Sequence, residues 1–326
     1  MEITIIPIGN LKEKYIMQGI QEYLKPLQLC QWSDPLWKLH QWGNSVGPGG
    51  QGYGIAIEGS ADQHDPNAAN DSRRNIIIGN TFDGEHLRHA ILLQFPTHNN
   101  LVAKNTIIGS HLDAIDLHGE GEYLNEIREN MVINGQRAGI ALGNSGGSKN
   151  KHDASGSGNW VHSKNLIGSS QGILVILGTP NTLIENNRIT AREDSNTGIE
   201  VRNAPDTELP GNHITRGSDE FWAIHLSEDH GTDGRGRGIP SGIKIEGNVI
   251  RQTANGIRID AGKNLSMDDN TLDGISGDEL RAADFAQKLG HLLAFQPHHA
   301  GWIKTWVRFP RMRKRGTSNP YVNFYN

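Results

Sequence analysis

Residues 100–119 read NLVAKNTIIGSHLDAIDLHG. Leu101 and Ala103 alternate with Val102 and Lys104, Asn105 interrupts, and Thr106 to Ile108 form a second short run. Gly109 to Leu112 turn again, and Ala114 to His118 form a third. Three short strands in one such unit are the pattern of a single coil of parallel β-helix. Asn suits the tight turn, because it tolerates a left-handed φ and its amide can bond the Asn of the next coil.

The unit recurs along most of the chain. An Asn opening a short strand stands at Asn80, Asn105, Asn130, Asn165, Asn187, Asn212, Asn248 and Asn270. A small residue followed by Ile stands at Ile55, Ile91, Ile115, Ile140, Ile173, Ile199, Ile224 and Ile257. The shortest interval, about 22 to 26 residues, is one turn of a β-solenoid. The fold class expected is all-β, a right-handed single-stranded parallel β-helix of about eight to nine coils with helical caps. Handedness is taken from the rule for parallel crossovers and from the family resemblance given below, not from the spacing. In the third strand, alternation sends the Ile and the second aliphatic inward and the intervening positions outward.

Composition agrees. Forty Gly, 13 Pro and an aromatic fraction of 6% supply many turns and little bulk, so burial must come from stacked small and branched aliphatics. A net charge of −5 argues against a nucleic-acid partner, while local basic residues still suit an acidic polysaccharide. The single Cys30 rules out an internal disulfide framework. MEITIIPIGNLKEKY lacks the pattern of a signal peptide, and no stretch reaches membrane-spanning length. The expectation is no membrane partner, and either a cytoplasmic protein or a mature extracellular one.

Three segments divide the chain. Residues 1–50 form an N-terminal cap with an amphipathic helix over 11–28, residues 51–277 the β-helix, and residues 278–326 a C-terminal helix over 278–294 with a basic tail. Three intervals are longer than the basic repeat, 59–73, 143–158 and 228–241. Each follows a third strand, so all three should emerge on one edge of the cylinder.

Over roughly residues 50–275 the repeats resemble the right-handed parallel β-helix superfamily, the pectin-lyase-like fold of polysaccharide lyases, polygalacturonases, uronan epimerases and tailspikes. The resemblance implies a polysaccharide or oligosaccharide held in a groove walled by the loops beside the third strand. Asp113-Ala-Ile-Asp-Leu looks like the Asp-Gly-Ile-Asp-Ile strand of polygalacturonases. The next coil, RAGIALGN, lacks that family's paired Asp, and no Gly-His-Gly follows. Asp62-Gln-His-Asp65 is only superficially like the Asp-Pro-His-Asp of alginate epimerases.

Coils stack about 4.8 Å apart, so outward positions form columns. One runs Ala56, Leu92, Asp116, Ala141, Leu174, Glu200, His225, Arg258. Its neighbour runs Glu58, Gln94, His118, Gly143, Ile176, Arg202, Ser227, Asp260. Charge gathers in two places. The first holds Asp113, Asp116, His118, Arg88 and His89 as candidate catalytic residues, with Glu58, Gln94, Glu120 and Glu122 beside them for substrate. Crowded like charges raise each other's pKa, which is the mark of a functional cluster. Asp116, Glu120 and Glu122 offer hard oxygen ligands for Ca²⁺, the one cofactor suggested; no organic cofactor is expected. β-Elimination would use Arg88, His89 or His118 as base or clamp; hydrolysis would use Asp113 and Asp116.

The second cluster, Glu200, Arg202, His225 and Arg258, is either a further substrate-binding ladder or a charge network between coils. Trp160, Phe221 and Trp222 are candidates to stack on sugar rings. The leading expectation is a polysaccharide lyase, then a glycoside hydrolase with paired carboxylates, then a non-catalytic glycan-binding or tailspike-like β-helix. The chain would be a monomer or a homotrimer. A trimeric fibre would expose an apolar stripe, for which Leu92, Leu174 and Ile176 are the candidates.

Overall fold

A computed structural model describes residues 31–32, 52–58, 72–83, 87–94, 97–118, 122–143, 158–163, 165–176, 179–229 and 238–282. They form a parallel β-helix with three strands to the coil. The first face is an 8-stranded parallel sheet running from Ile76–Ile78 through Leu101–Ala103 and Glu126–Arg128 to Ser266–Asp268. The second and third faces merge into one 16-stranded sheet, because Met131–Leu142 and Leu166–Val175 run round the corner without a break. The quoted coil appears as Leu101–Ala103, Thr106–Ser110 and Ile115–Leu117.

The core is a stack of like residues. Ile91, Ile115, Ile140, Ile173, Ile199 and Ile224 are fully buried, and each pairs in register with the next. The small residue before each Ile lies against the carbonyl of the following coil: a Cβ at Gly198 would sit 2.4 Å from the Ala223 oxygen. Stacking of identical branched side chains is how so few aromatics suffice.

The Asn ladder is complete. From Asn80 to Asn270 every Nδ2 donates to the Oδ1 of the next Asn, at 2.8–3.1 Å. The left-handed φ, however, belongs to the preceding residue: Gly79, Lys104, Glu129, Asn186, Gly211, Gly247 and Asp269. The Asn is retained for its amide and the turn strain is taken by its neighbour. A second ladder that the sequence reading missed links Asn75, Asn100, Asn125 and Asn159 before the first face. Thr182 and Thr207 occupy the corresponding corners further on and bond carbonyls three residues back, of Thr179 and Ala204.

Gln31–Trp32 pairs with Thr81–Phe82, which places a strand inside the expected N-terminal cap. The helix expected over 11–28 lies outside the described residues. The segment expected to start a second helix at 278 instead continues the stack. Leu280–Ala282 is a strand with Leu280 in register on Ile257. An apolar residue placed above the core column gains more from stacking than from helical propensity. No helix of the described residues is long and apolar enough to cross a membrane.

Candidate functional site

The third face places the charged residues. Pairing confirms the first outward column in full, from Ala56 through Leu92, Asp116, Ala141, Leu174, Glu200 and His225 to Arg258. Another column, two residues before the core Ile, also faces outward. It pairs Tyr53 with His89, then Ala138 with Gln171, Thr197, Trp222 and Asn255. The long intervals leave from the ends of Gly52–Glu58, Met131–Leu142 and Trp222–Ser227, one edge of this face.

Outward does not mean exposed. Leu92, Ala141, Leu174 and Ile176 are 2%, 1%, 4% and 4% exposed, and the last three cluster with Ala138. The stripe expected to be available to a trimer is therefore buried within a single chain. Phe221 and Trp222 are buried as well, and Trp160 lies on the first face, stacked on His162.

The first charged cluster assembles as the sequence suggests. Asp113 and Asp116 are fully buried and His89 nearly so. Asp116 Oδ2 lies 3.5 Å from His89 Nδ1 and 3.3 Å from His118 Nδ1. Among the described residues, neither oxygen of Asp116 has a hydrogen bond, nor has His118 Nδ1 or Arg88 Nε. Asp113 is held differently. Arg137 grips both its oxygens, with Nε at 2.7 Å from Oδ1, and the Ala138 amide donates to Oδ1 at 3.2 Å. His89 Nδ1 also reaches the Asp113 carbonyl at 3.1 Å, and its ring stacks on Tyr53. The solvent side is made by the side chains of His118 and Arg137, 22% and 34% exposed. Gln94 and Glu122 are buried beside them; Glu120 and the Glu58 side chain lie outside the described residues.

The electrostatics separate the two imidazoles. Burial pushes His89 below its usual value, against the pull of Asp116 and Asp113. Burial would lower His118, but the Asp116 carboxylate 3.3 Å away, with Glu122 behind it, carries His118 upward. Burial pushes the Asp113 carboxyl up and Arg137 opposes it. A neutral and a readily protonated imidazole on either side of one carboxylate is the kind of separation that acid–base chemistry uses.

The second cluster is saturated. Arg202 donates to both oxygens of Glu200 at 2.7 and 3.0 Å, with Gln171 at 3.1 Å and Ser227 at 3.0 Å. His225 bridges Glu200 to Asp260, at 3.6 and 2.9 Å. Arg258 holds Asp260, two residues further on, and lies over Trp222. Burial would raise Asp260, yet the bonds from Arg258 and His225 bring it below the usual carboxylate range. Every acceptor is occupied, as in a network that ties neighbouring coils. Three coil steps, about 14 Å, separate it from Asp116.

Two participants were missed by sequence reasoning. Arg137 sits where the strand is irregular, with register shifts between Ile133, Gly135 and Ala138, so alternation does not predict its direction. Gln171 was legible, since it lies in the column one coil below Thr197.

Among the described residues, His89, Asp113 and Asp116 form the group whose ligand atoms lie within 4.8 Å of one another. Calcium takes six to eight oxygens, whereas this set contributes a nitrogen and a carboxylate already committed to Arg137. Of the oxygen set expected for calcium, Asp116 alone belongs to this group.

Fold and site together define the class: a parallel β-helix with a buried acid–imidazole cluster on its third face. A family model described as "Right handed beta helix region" matches residues 152–285. Among solved structures, the A-module of the mannuronan C-5 epimerase AlgE4 of Azotobacter vinelandii is similar at 13% identity, covering 76% of each chain with a TM-score of 0.30. No curated protein matches the chain.

Proposed function

We propose that this chain is a polysaccharide-active enzyme that lays an acidic glycan across its third face and cleaves it by β-elimination. The observation that carries the reading is Asp116, a fully buried carboxylate without a hydrogen bond, beneath the partly exposed His118. A buried carboxylate without a hydrogen bond is costly, and the cost is offset when an imidazole beside it carries a proton. Proton uptake by His118 creates that cation.

His118 presents Nδ1 to Asp116, so Nε2 remains for substrate. It removes the proton next to the uronate carboxylate. The carbon–oxygen bond to the leaving sugar breaks as the double bond forms, and the departing oxygen takes a proton from the Tyr53 hydroxyl. Asp116 acts through His118 as a positioning residue, in the manner of the acid in a hydrolytic triad. Arg88 and Arg137 supply the positive charge that neutralises the uronate carboxylate. The paired-carboxylate hydrolase reading is weaker, because Arg137 occupies both oxygens of Asp113.

The test is ultraviolet absorbance of unsaturated uronate during incubation with a panel of polyuronates, beside a reducing-end assay. Absorbance should rise, and His118→Ala should lower the rate by about a hundredfold or more. Reducing ends without absorbance would mean hydrolysis, and silence in both would leave a glycan-binding protein.

A further inference from the structure

The second face carries a feature that the proposed chemistry does not use. A groove of about 900 Å³ runs along the outside of the merged sheet, and its walls include Arg188, Arg192, Arg216, Asn134, Gln252 and Glu193. Its floor is apolar where Ile133 stands 37% exposed beside Gly168. Arg188 and Arg216 are exposed and have no ion pair among the described residues. Arg192 is fixed in place, donating to the Gly135 carbonyl at 3.2 Å and to Asp194 at 2.6 Å. In a chain of net charge −5 this concentration of guanidinium runs against the overall sign.

The backbone fixes where two of these side chains leave the sheet. The fourth position of the second-face strand takes a left-handed φ at Gly109, Asn134, Arg216, Gln252 and Gly274. In the outer two of these coils the residue is Gly, for which this conformation has no steric cost. In three of the coils that border the groove it is Asn, Arg or Gln, while in the two between them Ser169 and Ala191 hold the position without a left-handed φ. For Arg216 and Gln252, at φ 68° and 53°, the strain is tolerated although Gly would relieve it. The same conformation falls on Lys104 and Glu129 at the Asn turns, so what bears on the groove is that Arg216 and Gln252 line it.

We propose that this groove is an anion-binding subsite for a carboxylate-bearing polysaccharide, separate from the cluster on the third face. Guanidinium forks match carboxylates in pairs, the polar Asn134 and Gln252 suit hydroxyls, and the apolar floor suits a sugar face. A nucleic acid fits less well, because the lining has no aromatic platform for bases. The subsite would hold a polymer to the cylinder independently of turnover.

Binding of the full chain to a polyuronate, a neutral glucan and single-stranded DNA, measured by calorimetry at two salt concentrations, tests this. His118→Ala is used throughout, so that turnover plays no part. The chain should bind the polyuronate and not the glucan, and R188Q/R216Q should weaken binding about tenfold or more. Arg216→Gly relieves the strained φ, so it should lower affinity while leaving the melting temperature unchanged or higher. Unchanged affinity in both variants, equal binding of the glucan, or a preference for DNA would each overturn the proposal. None of these outcomes bears on the lyase assay, whose failure would in turn leave this binding intact.

Discussion

Asp116 shows how a single side chain can be placed correctly by a repeat and still mean more than the repeat conveys. Column reading puts it above Leu92 and below Ala141, as found. Its isolation from hydrogen bonds is a matter of three dimensions, since it depends on where the two imidazoles stop short. If His118 is the base, the rate must rise with pH as His118 loses its proton, with an inflection above the ordinary histidine value of 6.5. Asp116→Asn removes the main influence raising it and leaves burial, which lowers it. The inflection should therefore move down, with a fall in kcat, in a pH profile of kcat/KM. An unmoved inflection would remove Asp116 from the mechanism.

At the scale of the element, the third-face strand depends on a small residue packed under the carbonyl of the next coil. Gly198→Ala would place a Cβ 2.4 Å from the Ala223 oxygen and 2.9 Å from the Ile214 side chain. We expect it to destabilise the protein by about 1–3 kcal/mol, read as a lower midpoint in urea unfolding. Strands of this kind were legible because two periods coincide in them, alternation along the strand and recurrence between coils. Leu280–Ala282 was not, because its three residues are too few to show alternation and the DELRAADFAQKLG segment that contains them has a spacing that suits a helix. The second Asn ladder escaped for a related reason: it gives way to Thr182 and Thr207, so no single residue type recurs through all coils.

In the whole molecule, stability is shared between nearest neighbours along one axis. Asn165 takes part on both sides, accepting from Asn130 and donating to Asn187, and it is fully buried. Asn270 is the last member and only half-buried. Asn165→Ala should cost about 2–4 kcal/mol and Asn270→Ala about half that, by thermal or urea unfolding. Equal losses would mean that the ladder is not the main tie between coils.

The ladder also works as a ruler. Asn80, Asn105 and Asn130 are each 25 residues apart and are bonded as equivalent neighbours. The chain can therefore grow or shrink by whole coils with its seams preserved, whereas one residue gained inside a face turns every later side chain of that strand to the wrong side. The long insertions leave at the exit edge, while the corner before the third strand varies by a few residues, from 8 between Asn165 and Ile173 to 12 between Asn187 and Ile199. Length in this architecture is thus inherited in discrete steps, and novelty accumulates at one margin of the cylinder.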